Sequence, residues 1–443
     1  MSAPRAPATP SSNVEVPPPA SVSRAEANRV WASIGLQSFG GPAAQIALMH
    51  RVLVEERKWI DERLFLRALG FCMLLPGPEA TQLATYVGWR LHGVRGGLVA
   101  GLWFVIPGAV LLAALATLYV LFGQIPWVSA AFLGIKAAVL VLVFEAVARL
   151  SKRAVTRGVH WAIALAAFLA LFFLAIPFPF VVLAAGAVGA ALIAPDAVPE
   201  SGAPLRPPWK KTAGSAVTWL AIWLGPLVAL AVWLGPEHIL AQVAVFFAKL
   251  AVVTFGGAYA VLAYMAQDVV VKHGWLTARQ MVDALGLAET TPGPLILVNL
   301  FVGYLAAAQA HPEAAIAIGL AGAAVALWAT FAPCYLWIFV AGPYVERISA
   351  EPRLRGALEG ITAAVLGVIA SLGLWFGIHV LFGEVRTGRW EILRWTAPVL
   401  STLDLRVLIL TAACAALFVR FRWSVHRVLA VSALLALGIW AVR

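Results

Sequence analysis

Apolar residues fill five long stretches of the chain, 95–121, 127–149, 214–234, 314–341 and 355–383, and polar residues gather in the short segments between them. A bilayer core about 30 Å thick is crossed by about 20 helical residues, so each stretch predicts a membrane-spanning helix. Backbone groups in hydrocarbon must be bonded within their own segment, and runs this long exclude barrel strands. Further apolar stretches are interrupted. Phe39-Gly40-Gly41 divides residues 29–50, and Pro76-Gly77-Pro78 divides residues 62–93. The two pieces of 62–93, about 14 residues each, are too short to span alone.

The interruptions recur. At a displacement of 216 residues Phe39-Gly40-Gly41 falls on Phe255-Gly256-Gly257, Trp59 on Trp275, and Pro76-Gly77-Pro78 on Pro292-Gly293-Pro294. Beyond an insertion around Gln309 to Glu313 the displacement becomes 226, which places Pro107 on Pro333 and Ala137-Ala138-Val139-Leu140 on Ala363-Ala364-Val365-Leu366. Several motifs at one spacing indicate an internal duplication. The expected organisation is a disordered tail over 1–25, a first repeat over 26–194, a polar linker plus one unpaired transmembrane helix over 195–238, and a second repeat over 239–443.

An odd number of crossings between two copies turns the second upside down. Loop charges agree: the turn with Arg90 and Arg95 is basic while its counterpart at His311 to Glu313 has no Lys or Arg. The loop at Gln124 to Trp127 has none, but its partner contains Arg347, Arg353 and Arg355. The uncharged turn at Pro177 to Pro179 matches one near Arg420, Arg422 and Arg427. The segments at Arg149 to Arg157 and Arg386 to Arg394 are both basic and do not follow the rule. The expected fold is an all-α polytopic membrane protein of two inverted-topology repeats with broken helices, about 13 transmembrane segments in all, with its amino terminus in the cytoplasm.

Composition narrows the function. With 62% hydrophobic and 12% charged residues, the chain has too little polar surface for a water-soluble fold. Its net charge of +11 is spread over short loops rather than one surface or arm, which argues for membrane orientation and against nucleic acid. Cys72, Cys334 and Cys414 lie in apolar stretches without a CxxC, and the eight His show no ligand spacing, so neither a metal nor a cofactor is expected. No GxGD, HExxH or GxSxG is present, so an intramembrane enzyme is not expected either.

A Pro-Gly-Pro ends one half-helix and starts another, because Pro lacks a donor N–H and Gly permits non-helical dihedrals. At membrane depth such backbone must be buried in protein or line a polar cavity. A half-helix starting there presents free N–H groups and about half a positive charge, a place for an anion. The candidate substrate-binding residues are therefore Phe39, Gly40, Gly41, Pro76, Gly77, Pro78, Glu79, Gln82, Phe255, Gly256, Gly257, Glu289, Thr290, Thr291, Pro292, Gly293 and Pro294. Close helix packing is the alternative role of the glycines, and helix-internal bonding that of the threonines. Glu79 either complements a helix amino terminus or carries a proton beside the anion. Lys249, six residues before Phe255, joins the candidates because a cation inside an apolar run is costly and faces a partner or a cavity. Lys136 is similarly placed, with Glu145 as an available structural partner, whereas Lys249 has no acidic neighbour in its run.

These motifs resemble the chromate ion transporter family in its long-chain, two-domain form. The matching stretches are Phe39-Gly40-Gly41-Pro42, Pro76-Gly77-Pro78-Glu79-Ala80 through Gly88-Trp89-Arg90-Leu91-His92-Gly93, Gly274-Trp275-Leu276-Thr277, and Ala288-Glu289-Thr290-Thr291-Pro292-Gly293-Pro294. The resemblance implies a bacterial inner-membrane protein that expels chromate from the cytoplasm with the membrane gradient, confers chromate resistance, and meets sulfate as the look-alike tetrahedral dianion. Expected partners are chromate, sulfate and the lipid bilayer, with a homodimer left open. Transport of sulfate or another oxyanion, and a passive anion channel, remain the alternatives.

Overall fold

The computed structural model describes residues 22–39, 41–123, 125–154, 157–193, 209–255, 258–345, 351–390 and 393–442. Residues 1–21 of the expected tail, Ala194 at the end of the expected first repeat, 195–208 of the expected linker, Gly40, Gly256 and Gly257, and the loop positions 124 and 346–350 lie outside the described residues.

The first half runs through α1 (Arg24–Gln37), α2 (Gly41–His50), α3 (Glu62–Leu74), α4 (Glu79–Phe122), α5 (Pro126–Ala154), α6 (Gly158–Phe172) and α7 (Phe178–Leu192). After α8 (Trp209–Leu234) come α9 (Ile239–Val253), α10 (Ala258–Gln267), α11 (Ala278–Thr290), α12 (Val298–Ala310), α13 (Ala315–Ala341), α14 (Pro352–Leu381), α15 (Leu405–Ala415) and α16 (Val425–Ala441). The order of elements recurs across α8 down to local detail. A π-helical stretch follows both α2 (Arg51–Glu56) and α10 (Asp268–Lys272). Non-helical dihedrals at His92 and Gly93 divide α4 where a short 3-10 turn separates α12 from α13.

Local sequence explains the helix starts. Ser23 caps α1 by accepting from the Glu26 N–H, Asp61 caps α3 by accepting from Leu64, and Thr277 with Gln280 forms a capping box at α11. The helix ends at Leu75 and Thr291 both stand directly before a Pro, whose preceding residue is held extended.

Five of the described helices are long and apolar enough to cross a membrane: α4, α5, α8, the α13 stretch and α14. Their outward faces stay apolar. Trp233 on α8 is 85% exposed and Val232 80%, an arrangement that hydrocarbon surroundings explain and water does not. The molecule is an α-helical, multi-pass membrane protein.

The halves interlace. α5 of the first half packs on α15 and α16 of the second, and α14 of the second packs on α6 and α7 of the first. The α1–α4 contact recurs as the α9–α13 contact. One element departs from the all-α expectation. The basic segment after α14 forms an antiparallel hairpin, β1 (Val385–Trp390) and β2 (Leu393–Pro398), in register Gly388↔Trp395. The alternating Arg-Thr-Gly-Arg-Trp pattern suits a strand, and the Trp395 ring lies where a Gly388 side chain would have to go.

Candidate functional site

α1 ends at Ser38 and α9 at Thr254, in similar non-helical conformations, and each hydroxyl donates back to its own helix: Ser38 Oγ to Ile34 O and Thr254 Oγ1 to Leu250 O, both at 2.6 Å. With ψ 69° and 85°, the carbonyls of Ser38 and Thr254 leave their helices and face the opposite half. The Gly77 N–H donates to Thr254 O at 2.7 Å, and the Gly293 N–H donates to Ser38 O at 2.7 Å. Each Pro-Gly-Pro break is thus closed by the end of the broken first helix of the other copy.

Both central glycines need their missing side chain. Gly77 has φ 122° and Gly293 φ 97°, conformations that cost other L-residues about 1–2 kcal/mol. The long helix of each half also runs past the break of the other. At Gly108 a Cβ would lie 1.9 Å from Pro292 O, and Cys334, its counterpart by position, has its Sγ 3.5 Å from where a Gly77 Cβ would be.

Two amides hold the breaks from the side. Gln45 Nε2 donates to Gly293 O at 2.7 Å and lies 3.3 Å from Ser38 O, while Gln82 Nε2 donates to Pro76 O at 2.7 Å. Gln45 Oε1, Gln82 Oε1 and Thr81 Oγ1 are buried with no hydrogen-bond partner among the described residues. The site therefore offers buried hydrogen-bonding groups beside the start of α4, whose cap at Pro78 supplies no side-chain bond.

The sequence candidates separate accordingly. Pro76, Gly77, Pro78 and Gln82 lie at the first break and Pro292, Gly293 and Pro294 at the second, all buried, with Gly41 buried at the start of α2 and Phe39 and Phe255 half-buried at the two helix ends. Glu79 is half-buried as the first residue of α4, and Glu289 is buried in the last turn of α11. Thr290 and Thr291 line the second break, but their hydroxyls donate to Leu287 O and Ala288 O of the preceding turn. Lys249 is on the exposed face of α9.

Lys136 does not pair with Glu145, which accepts from Arg149 Nε at 2.8 Å. It reaches Asp283 on α11 instead, Nζ to Oδ1 at 3.1 Å, and Tyr119 on α4 donates to Oδ2 of the same carboxylate at 2.9 Å. Sequence reasoning missed Ser38, Gln45, Thr254, Tyr119 and Asp283. A signal existed for Ser38 and Thr254, hydroxyl residues 216 apart directly before each Phe-Gly-Gly. The three cysteines are buried and free, and no His, Cys, Asp and Glu cluster among the described residues could hold a metal.

Broken helices that meet inside an apolar helical bundle define a membrane transport protein. The chain belongs to the chromate transporter family, whose model matches residues 25–190 and 241–439. It is 33% identical over 337 residues to the chromate transport protein of Cupriavidus metallidurans, covering 76% of this chain and 78% of that one. The chromate transport protein of Pseudomonas aeruginosa is 33% identical over 376 residues, 82% of this chain and 83% of that one. A probable chromate transport protein of Synechococcus elongatus is 31% identical over 344 residues, 76% and 80%. No solved structure matches the chain.

Proposed function

We propose that this protein is a secondary transporter of the bacterial inner membrane that exports chromate from the cytoplasm and so confers resistance to it. The carrying observation is the reciprocal pairing of the two breaks, Gly77 N–H to Thr254 O and Gly293 N–H to Ser38 O. In this reading the starts of α4 and α12 contribute to one composite site, where converging helix dipoles would supply positive potential without a cluster of Arg. Chromate, a tetrahedral dianion, would take hydrogen bonds from the free N–H groups at the start of α4 and from the Thr81 hydroxyl. Glu79, at the head of the same helix, competes with the anion for those donors, which makes binding reversible.

The repeats in this reading are inverted, with α8 as the odd crossing between them and about 13 crossings in all. Two helix starts facing each other from opposite sides suit alternating exposure of one fixed site.

Radiolabelled chromate flux in proteoliposomes with an imposed pH gradient tests the proposal. Chromate should accumulate against its own gradient, and sulfate should compete. Flux that only runs downhill would make the protein a passive pathway, and sulfate accumulation without chromate accumulation would move the assignment to another oxyanion.

A further inference from the structure

The Lys136–Asp283 pair joins the halves. Lys136 belongs to α5 of the first half, and Asp283 to α11, which ends seven residues on at Thr290 and the second break. At 1.5 Å per residue that is about 10 Å along the helix. Both side chains are at least nine-tenths buried, 10% and 4% exposed. Burying two charges is costly, and an apolar pair of similar volume commonly holds helices together as well or better. Ionisable residues placed within a helical bundle in a membrane instead mark transport pathways and proton relays.

Two features set this pair apart from the scaffold. It breaks the internal symmetry: Thr362 stands at the position equivalent to Lys136, and Arg67 at that equivalent to Asp283. A brace belonging to the duplicated fold would recur, as the break-closing bonds do. Also, Asp283 Oδ1, although 3.1 Å from Lys136 Nζ, is out of hydrogen-bond alignment and has no other partner among the described residues, while Tyr119 occupies Oδ2. Among the described residues Oδ1 thus faces only the Lys136 ammonium, the partner that an incoming proton would displace.

The surroundings place few competitors near it. Lys136 faces Asp283 from α5, Tyr119 from α4, and Arg279 acts from α11 itself. Of the other helices packed on α11, α12 has no charged residue and its Tyr304 accepts from Thr117. α14 carries Arg353, Arg355 and Glu359 near its start and His379 near its end, and α16 has His426 and Arg427 in its first turn.

Resting on the transport reading above, we propose that Asp283, held between Lys136 and Tyr119, is the site that takes up the coupling proton and links it to movement of α11 and the second break. Asp283 Oδ1 accepts one proton and becomes a carboxylic acid while Lys136 keeps its own, so the pair passes from neutral to +1. The ionic clamp between α11 and α5 loosens, and the added positive charge sits about two turns from the break. Release of the proton restores the clamp.

The test uses the full-length protein in proteoliposomes, comparing wild type with Lys136→Gln/Asp283→Asn, in which no single buried charge is left uncompensated. The double variant should still exchange chromate across the bilayer but lose accumulation driven by a pH gradient. An undiminished accumulation ratio overturns the proposal. Tyr119→Phe, a change of one hydroxyl, covers the case in which the double variant fails to insert. Removing a donor to the charged carboxylate should displace the pH profile of flux to higher pH, and an unmoved profile overturns the proposal equally. Glu79→Gln is run in parallel: loss of the pH drive there, with the Asp283 variants fully coupled, gives the proton to Glu79 instead. Absence of chromate flux in wild type would sink the transport reading, whereas coupled flux in all Asp283 variants would sink this inference alone.

Discussion

Glycine is required at 77 and 293 for two reasons that act together, the sign of φ and the hydrogen bond that the backbone there donates across the halves. A Cβ at Gly77 would stand 2.9 Å from Gln82 Nε2 and disturb its bond to Pro76 O; one at Gly293 would stand 2.9 Å from Leu297 Cδ1 and 3.3 Å from Phe104 O. With about 1–2 kcal/mol of conformational strain, Gly77→Ala and Gly293→Ala should each lower chromate flux about 5–30-fold where that strain falls on the transport-competent state. Flux per inserted molecule is the measurement, and wild-type flux in either variant would show that the breaks do not act as one site. These glycines were legible from the repeat, since Pro-Gly-Pro recurs at the same spacing as the other matched motifs. Gln45 and Asp283 were not legible. Their counterparts are Val261 and Arg67, so no repetition marks them, and their partners lie in distant segments. Thr290 and Thr291 were legible as polar groups at the break, but a threonine near a helix end has a ready acceptor in the preceding turn and takes it here.

Among the elements, α8 and α13 show how one proline organises a helix interface. Pro333 has no N–H for Ala329 O, four residues earlier in α13, and the buried Trp223 indole of α8 donates to that carbonyl at 3.0 Å. Trp328 returns the contact, its Nε1 donating to Trp223 O at 3.1 Å. At the equivalent Pro107 the freed carbonyl is Trp103 O, and α1 presents Gly35 to it, where a Cβ would lie only 1.9 Å away. Trp223→Phe keeps most of the packing but strands a buried carbonyl, so the detergent-solubilised protein should lose about 1–3 kcal/mol of stability. A lowered thermal midpoint checks this, and an unchanged one would mean that Ala329 O has another donor. The spans themselves were readable because apolar length is a direct consequence of bilayer thickness. The hairpin was not, because a segment with Arg, Trp and Thr between two apolar helices looks like any basic loop until the two strands pair. The π stretches after α2 and α10 have no compositional mark at all.

For the whole molecule, the duplication was legible but the way its copies hold each other was not. Periodicity says which face of α5 or α14 is buried, not that each is covered by the last two helices of the opposite copy. That exchange packs the end of each half against the other, and their relative orientation is a separate question. The turn at His92 and Gly93 in the first half corresponds to the turn at His311 in the second; Gly93 is exposed, and His311, half-buried, is followed by exposed Pro312 and Glu313. Parallel copies would put both turns on the same side of the membrane, and inverted copies would put them on opposite sides. The first turn is flanked by Arg90 and Arg95, the second by no Lys or Arg, so the charge rule places the first in the cytoplasm and the second outside. Gly93 takes φ 63°, so a cysteine is better placed at the adjacent exposed Val94, with His311→Cys as its partner. Cys72, Cys334 and Cys414 are buried and give a low background. An impermeant thiol reagent applied to intact spheroplasts should label His311→Cys and spare Val94→Cys, with the order reversed in inside-out vesicles. Labelling of both from one face would refute the inverted arrangement, and with it the idea that the two broken helices approach the site from opposite sides.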